Sequence, residues 1–250
     1  MKLRLWRVLF VFQALAAAQQ TPSVDELLPR LYAYAREYRA KLPSFSCDES
    51  ITSQAVRNGK VKKEVKIEGM LREIRDEGKK DPFRENHTFK SVNGQPAKAQ
   101  FHIPFLVQGG FANMVGFVRE ETAGCFDYHL VSQDEGKNLR LDLALKPNHT
   151  GQNCTDIQEG FRKTVVLDAA TGRIIHVERT ISAEVAKQGK EVYFASVDYA
   201  PQKLGSETFW LPVRLFTHDA DDERRMYVTY SNFHRYTGEM SIVQDGHPPE

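Results

Sequence analysis

The residues able to do chemistry in this chain are scattered rather than gathered into a motif. Eight histidines are present. None forms an H-E-x-x-H run or an i, i+4 pair, the spacing that lets two imidazoles grip one zinc ion from a helix face. His129 and His176 fall in strand-like stretches, where a strand face accounts for each. Cys47-Asp48-Glu49 sets a thiol beside two acids. A thiolate nucleophile needs a base or a positive field, and none is adjacent, so Cys47 reads as structural. His218-Asp219-Ala220-Asp221-Asp222-Glu223 is the densest acidic run, and hard cations take oxygen ligands of this kind. It lacks the EF-hand spacing and sits where two strands must turn, so it reads as a solvated hairpin. No G-x-S-x-G elbow, phosphate loop or nucleotide fingerprint occurs. The expectation is a protein with no catalytic residues, no metal and no cofactor. Asn86-His87-Thr88, Asn148-His149-Thr150 and Asn153-Cys154-Thr155 match the glycosylation sequon, a mild excess over what ordinary Ser/Thr frequency gives by chance.

The chain has three cysteines. An oxidising compartment permits one internal bridge and leaves one thiol over. Cys125 and Cys154 lie beside turn-like sequence on the two flanks of a strand pair, and they are expected to bond. Cys47 alternates with Phe45 on one strand face, as a buried free thiol would.

The first eighteen residues indicate where such a bridge forms. Lys2, Arg4 and Arg7 precede the apolar run Val8–Leu15, and Ala16-Ala17-Ala18 offers small residues before a cut at Gln19. A basic end, a short apolar core and an A-x-A site read as a secretory signal over 1–18. The run is far shorter than the roughly 20 residues of a membrane span, and no cysteine follows the cut to take a lipid. The expected product is exported, soluble and not membrane-spanning, in the periplasm or outside the cell. Roughly 230 residues remain, a length that one all-β domain can occupy. The net charge of +1 becomes about −2 without Lys2, Arg4 and Arg7. Near-neutrality with mixed signs leaves no footprint for nucleic acid. The run Lys60, Lys62, Lys63 and Lys66 reads as a lysine-guarded strand edge.

The elements follow from periodicity. Ser23-Val24-Asp25-Glu26 is a capping-box pattern. Leu27, Leu28, Leu31, Tyr34, Ala35, Tyr38 and Leu42 then recur at helical spacing up to Pro43. This predicts an amphipathic helix over 24–42, with Pro29 as a candidate to shift its start. Arg30, Arg36, Glu37 and Arg39 fall on its exposed side. From Ser44 the period is two, with Phe45, Cys47 and Ile51 on one face. Asn58-Gly59 and Asn93-Gly94 mark hairpin turns, and a third strand holds Phe89. Phe101–Val118 is the most apolar stretch after the signal, and Gly109-Gly110 interrupts it; a loop and then a short helix from Phe111 are expected. Strands follow around Phe126–Leu130 and Leu139–Leu145. Phe161–Leu167 and Arg173–Ile181 are joined by Asp168-Ala169-Ala170-Thr171-Gly172. Glu191–Tyr199, Thr208–Thr217 and Met226–Tyr236 complete the set. The fold class is mainly β (α+β): a large antiparallel sheet of about ten strands, which must curl or split, covered by the two helices. One domain over 19–243 and a tail over 244–250 are expected.

Leu42-Pro43-Ser44-Phe45-Ser46-Cys47, the Gly160–Glu178 hairpin, Val197-Asp198-Tyr199 and Trp210-Leu211-Pro212-Val213 resemble uncharacterised secreted bacterial proteins near the periplasmic lipoprotein-carrier superfamily, the LolA/LolB-like fold. The resemblance spans about residues 24–240. It implies a half-open β-barrel with an apolar concave face lidded by helices, binding acyl chains or the apolar segment of a lipoprotein, with no catalytic residues. Phe101, Phe105, Phe111, Met114, Phe117, Phe126, Tyr128 and Trp210 are the candidate ligand-binding residues; as aromatics and a methionine they either pack a core or wall such a cavity. The functional expectation is an exported binding protein of the cell envelope. The alternative is an envelope interaction or sensor module with a protein partner and no small ligand.

Overall fold

The computed structural model describes residues 22–78, 82–98, 118–134, 138–147, 154, 161–182, 191–219 and 223–236. The expected signal, the tail and the apolar segment 101–117 lie outside the described residues, as do Asp221 and Asp222 of the acidic run.

One helix, α1 (Val24–Lys41), precedes eleven strands. The Ser23 hydroxyl accepts from the Glu26 backbone N–H, and the Glu26 carboxylate accepts from that of Ser23 at 2.8 Å. The capping box is thus formed as read, and Pro29 lies inside the helix rather than at its start. Leu27, Leu31, Ala35 and Tyr38 are buried along one side, and Tyr34, expected with them, is only partly buried. At the C-terminus Arg75 donates to the carbonyls of Arg39 and Leu42 at 2.7 and 3.0 Å, satisfying acceptors that the last turn leaves open.

The strands are β1 (Phe45–Arg57), β2 (Lys60–Arg75), β3 (Phe83–Val92), β4 (Gln95–Pro96), β5 (Phe126–Asp134), β6 (Asn138–Leu145), β7 (Phe161–Asp168), β8 (Ile174–Ser182), β9 (Glu191–Leu204), β10 (Glu207–Asp219) and β11 (Arg224–Arg235). They form one antiparallel sheet in the order β4-β3-β2-β1-β11-β10-β9-β8-β7-β6-β5. The sheet is open and curved, one strand longer than expected, and β4 and β5 do not pair to close it. The C-terminal strand β11 sits beside β1, so the chain's two halves meet in the middle of the sheet. Asn58-Gly59 and Asn93-Gly94 have positive φ at both residues, which the tight hairpins require. A 3₁₀ helix spans Glu120–Cys125; the expected helix from Phe111 lies outside the described residues.

The main core packs α1 on β5–β10 and the near ends of β1 and β2. A smaller cluster of Ile51, Val65, Ile67, Met226 and Val228 lies further along the same strands. Between the two stands a buried charge. Glu49 on β1 is 1% exposed, and its carboxylate reaches His87 Nδ1 at 2.9 Å, although His87 is on β3 and β2 runs between them. Gly69 is the β2 residue opposite Glu49. A Cβ there would stand 3.0 Å from the Glu49 oxygen, so the missing side chain lets the carboxylate cross a strand.

Cys125 and Cys154 form a disulfide, and Cys47 is free and buried, as expected. Burial, with the charges of Glu49 and Asp48 nearby, pushes its pKa well above the usual thiol range. Thiol titration of denatured, unreduced protein is expected to count one free thiol per chain; three would mean the bridge is absent.

Candidate binding site

A cavity of about 700 Å³ runs along one flank of α1. The helix contributes Tyr32, Ala35, Arg36 and Arg39; Arg75 and Glu77 come from the end of β2, and Val118–Glu121 close the other side. Helical spacing puts residues 32, 35, 36 and 39 on one side of the helix, beside the seam that docks on the sheet. Tyr32 anchors that flank. Its hydroxyl bonds the Tyr128 hydroxyl at 2.8 Å, tying α1 to edge strand β5. Burial raises the pKa of both phenols, so both stay neutral and the bond stays a neutral one. Phe126 stands edge-on to Tyr128 and tilts against Phe161, with ring centroids 6.4 and 6.0 Å apart. Tyr32, Ala35, Ala40, Pro82 and Val118 give the cavity its apolar lining, and charge is as prominent: Arg36, Arg39, Arg75 and Arg119 stand with Glu77, Glu120 and Glu121, Arg36 paired with Glu120 and Arg75 3.8 Å from Glu77. Apolar patches framed by charge in this way suit an amphiphile.

The structure separates the predicted ligand residues. Tyr128 bonds Tyr32, with Phe126 beside it, but neither lines this cavity. Trp210 lines a second cavity on the opposite flank of α1. Phe101, Phe105, Phe111, Met114 and Phe117 lie outside the described residues. The sequence reading missed Tyr32 and the arginines. Arg36 and Arg39 had been placed on the exposed side of the helix, and they take part because the cavity opens at that rim.

His176 is held on both sides, its Nδ1 2.7 Å from Asp198 and its Nε2 3.2 Å from Glu178. These contacts fix the ring between β8 and β9. Among the described residues no group of three or more His, Cys, Asp or Glu is arranged to hold a metal, and no helix is long and apolar enough to cross a membrane.

No family model matches the sequence, and no curated protein matches it. Among solved structures, a LolA superfamily protein from Nitrosomonas europaea is 13% identical, covers 85% of this chain and 94% of its own, and has a TM-score of 0.42. A putative outer membrane lipoprotein-sorting protein domain from Vibrio parahaemolyticus is 9% identical, covers 86% and 94%, and scores 0.44. A DUF1329 family protein from Desulfovibrio piger is 12% identical, with coverage of 85% and 94% and a score of 0.41.

Proposed function

We propose that the chain is an exported binding protein of the cell envelope that holds an apolar, acyl-type ligand, free or on a lipoprotein, beside α1. One observation carries this reading: a cavity of about 700 Å³ meets Val118, which is 2% exposed and directly follows the most apolar segment of the chain. Phe101, Phe105, Phe111, Met114 and Phe117, outside the described residues, are proposed as ligand contacts together with Phe126 and Tyr128. The disulfide and the signal-like N-terminus support an oxidising, exported setting. The work is binding rather than catalysis, with no cofactor required.

An environment-sensitive apolar dye is expected to bind about one-to-one and to be displaced by a fatty acid. Ala40 is exposed and lines the cavity, so Ala40→Phe is expected to weaken the dye about tenfold without disturbing the core. Protein that takes up no dye, or an Ala40→Phe variant that binds it unchanged, would remove the carrier reading.

The alternative, an interaction module, is favoured by a different feature. Phe194, Phe216 and Tyr227 form an aromatic ladder across β9, β10 and β11, with centroids 5.9 and 4.8 Å apart. It lies on the outer face, since Met226 and Val228 point to the core, and Tyr227 is 43% exposed. An exposed aromatic ladder of this kind is a feature of protein-binding surfaces.

A further inference from the structure

The second cavity, about 390 Å³, lies between α1 and the start of β10. Its helix residues, Tyr34, Glu37, Tyr38 and Lys41, recur at 34, 37, 38 and 41, the flank opposite that of the first cavity. Arg173, at the start of the β8 arm, and Phe209 and Trp210 of β10 face them.

Two observations give this space a ligand chemistry. First, its walls are aromatic on both sides, Tyr34 and Tyr38 from the helix, Phe209 and Trp210 from the sheet. Second, the Arg173 guanidinium lies over the Trp210 ring, 5.1 Å from its centroid, and among the described residues it forms no ion pair. A guanidinium stacked on an indole has its face covered and its in-plane N–H fork left for a planar, two-oxygen acceptor. The acids around it have other partners: Lys41 holds Glu37 at 2.6 Å and also interacts with Glu207, and Asp168 accepts from the Thr171 hydroxyl and backbone N–H at 2.6 and 2.8 Å.

We propose that this cavity binds a small aromatic carboxylate: a single planar ring between the aromatic walls, its carboxylate on Arg173. The site is separate from the one in the proposed function, and neither depends on the other.

The chain carries its own probe. It has two tryptophans, Trp6 and Trp210, so full-length protein with Trp6→Phe reports from the cavity alone. Titration with sodium benzoate is expected to change Trp210 emission saturably at one site, with a midpoint below about 1 mM. Benzamide, of the same shape without the charge, is expected to bind at least about tenfold more weakly. Arg173→Gln should reduce benzoate to the benzamide level, measured by calorimetry because the substitution also alters the indole's surroundings. Arg173→Lys should fall between, keeping charge and losing the fork. Ala40→Phe, in the other cavity, should leave benzoate binding as it was. No saturable signal up to about 10 mM, equal binding of benzamide and benzoate, or an Arg173→Lys variant that binds as well as the parent would each overturn the proposal.

Discussion

Leu31→Asp is expected to lower stability by more than about 4 kcal/mol, enough to unfold a domain of ordinary stability. Leu31 is 0% exposed, at the centre of the seam where α1 meets the sheet. An aspartate there must either carry an unpaired charge into the core or take up a proton, and it also leaves a cavity where the leucine was. Helix propensity explains only a small part, since aspartate costs about 0.7 kcal/mol relative to the best formers. Ala33 supplies the control. It is exposed two residues along the same helix, so Ala33→Asp carries the propensity loss without the burial and should cost below about 1 kcal/mol. Urea titrations of both variants separate the contributions. Equal effects from the two would mean that α1 does not dock on the sheet through this seam.

That α1 could be placed from sequence while its cavities could not is a matter of range. The capping box and the 3.6-residue stripe are local, and each is complete within the helix. The hairpins at Asn58-Gly59 and Asn93-Gly94 are local too, because few residue pairs tolerate two positive φ angles in succession. The β7–β8 hairpin was legible for the same reason: Gly172 has φ +69°, and a Cβ there would press within 3.0 Å of Arg30 on the helix above. The disulfide followed from counting and from the turns beside its two cysteines. What was missed was the extent of β9, expected to end at Tyr199 and running on to Leu204. Pro201 stays in register opposite Trp210, and Pro212, inside the expected strand, sits opposite Tyr199 with a bulge following it that accommodates it. The cavities join segments far apart in the chain, and spacing within one segment carries no information about the other wall. Trp210 lines the second cavity, whereas Phe126 and Tyr128, grouped with it by sequence, lie on the other side of the helix.

The buried charge shows the same limit from the other direction. Alternation along β1 puts Glu49 on the core face between Cys47 and Ile51, so its burial was there to be read; its partner 38 residues on was not. The consequence is a pH dependence. His87 faces Glu49 of β1 and Glu85 on its own strand, and both carboxylates also act on Tyr230 of β11. Burial of the ring works against its charge, but hydrogen bonds and charge from Glu49 and Glu85 outweigh it and lift the pKa to about 9. The ordinary value is 6.5, so the folded state binds the proton more tightly than the unfolded chain. This stabilisation is therefore fully present below about pH 6.5 and is lost as pH rises through about 9. Its size is about 2–4 kcal/mol. Tyr230 does not titrate in that window, because burial raises its pKa well above the usual phenol value. Denaturant midpoints measured from pH 6 to 10 should fall more steeply for the parent than for His87→Gln. Gly69→Ala should flatten the curve in the same way by obstructing the carboxylate's path over β2, without touching either charged group. A His87→Gln variant whose stability runs parallel to the parent's across the whole window would show that Glu49 and His87 do not share a proton-linked pair.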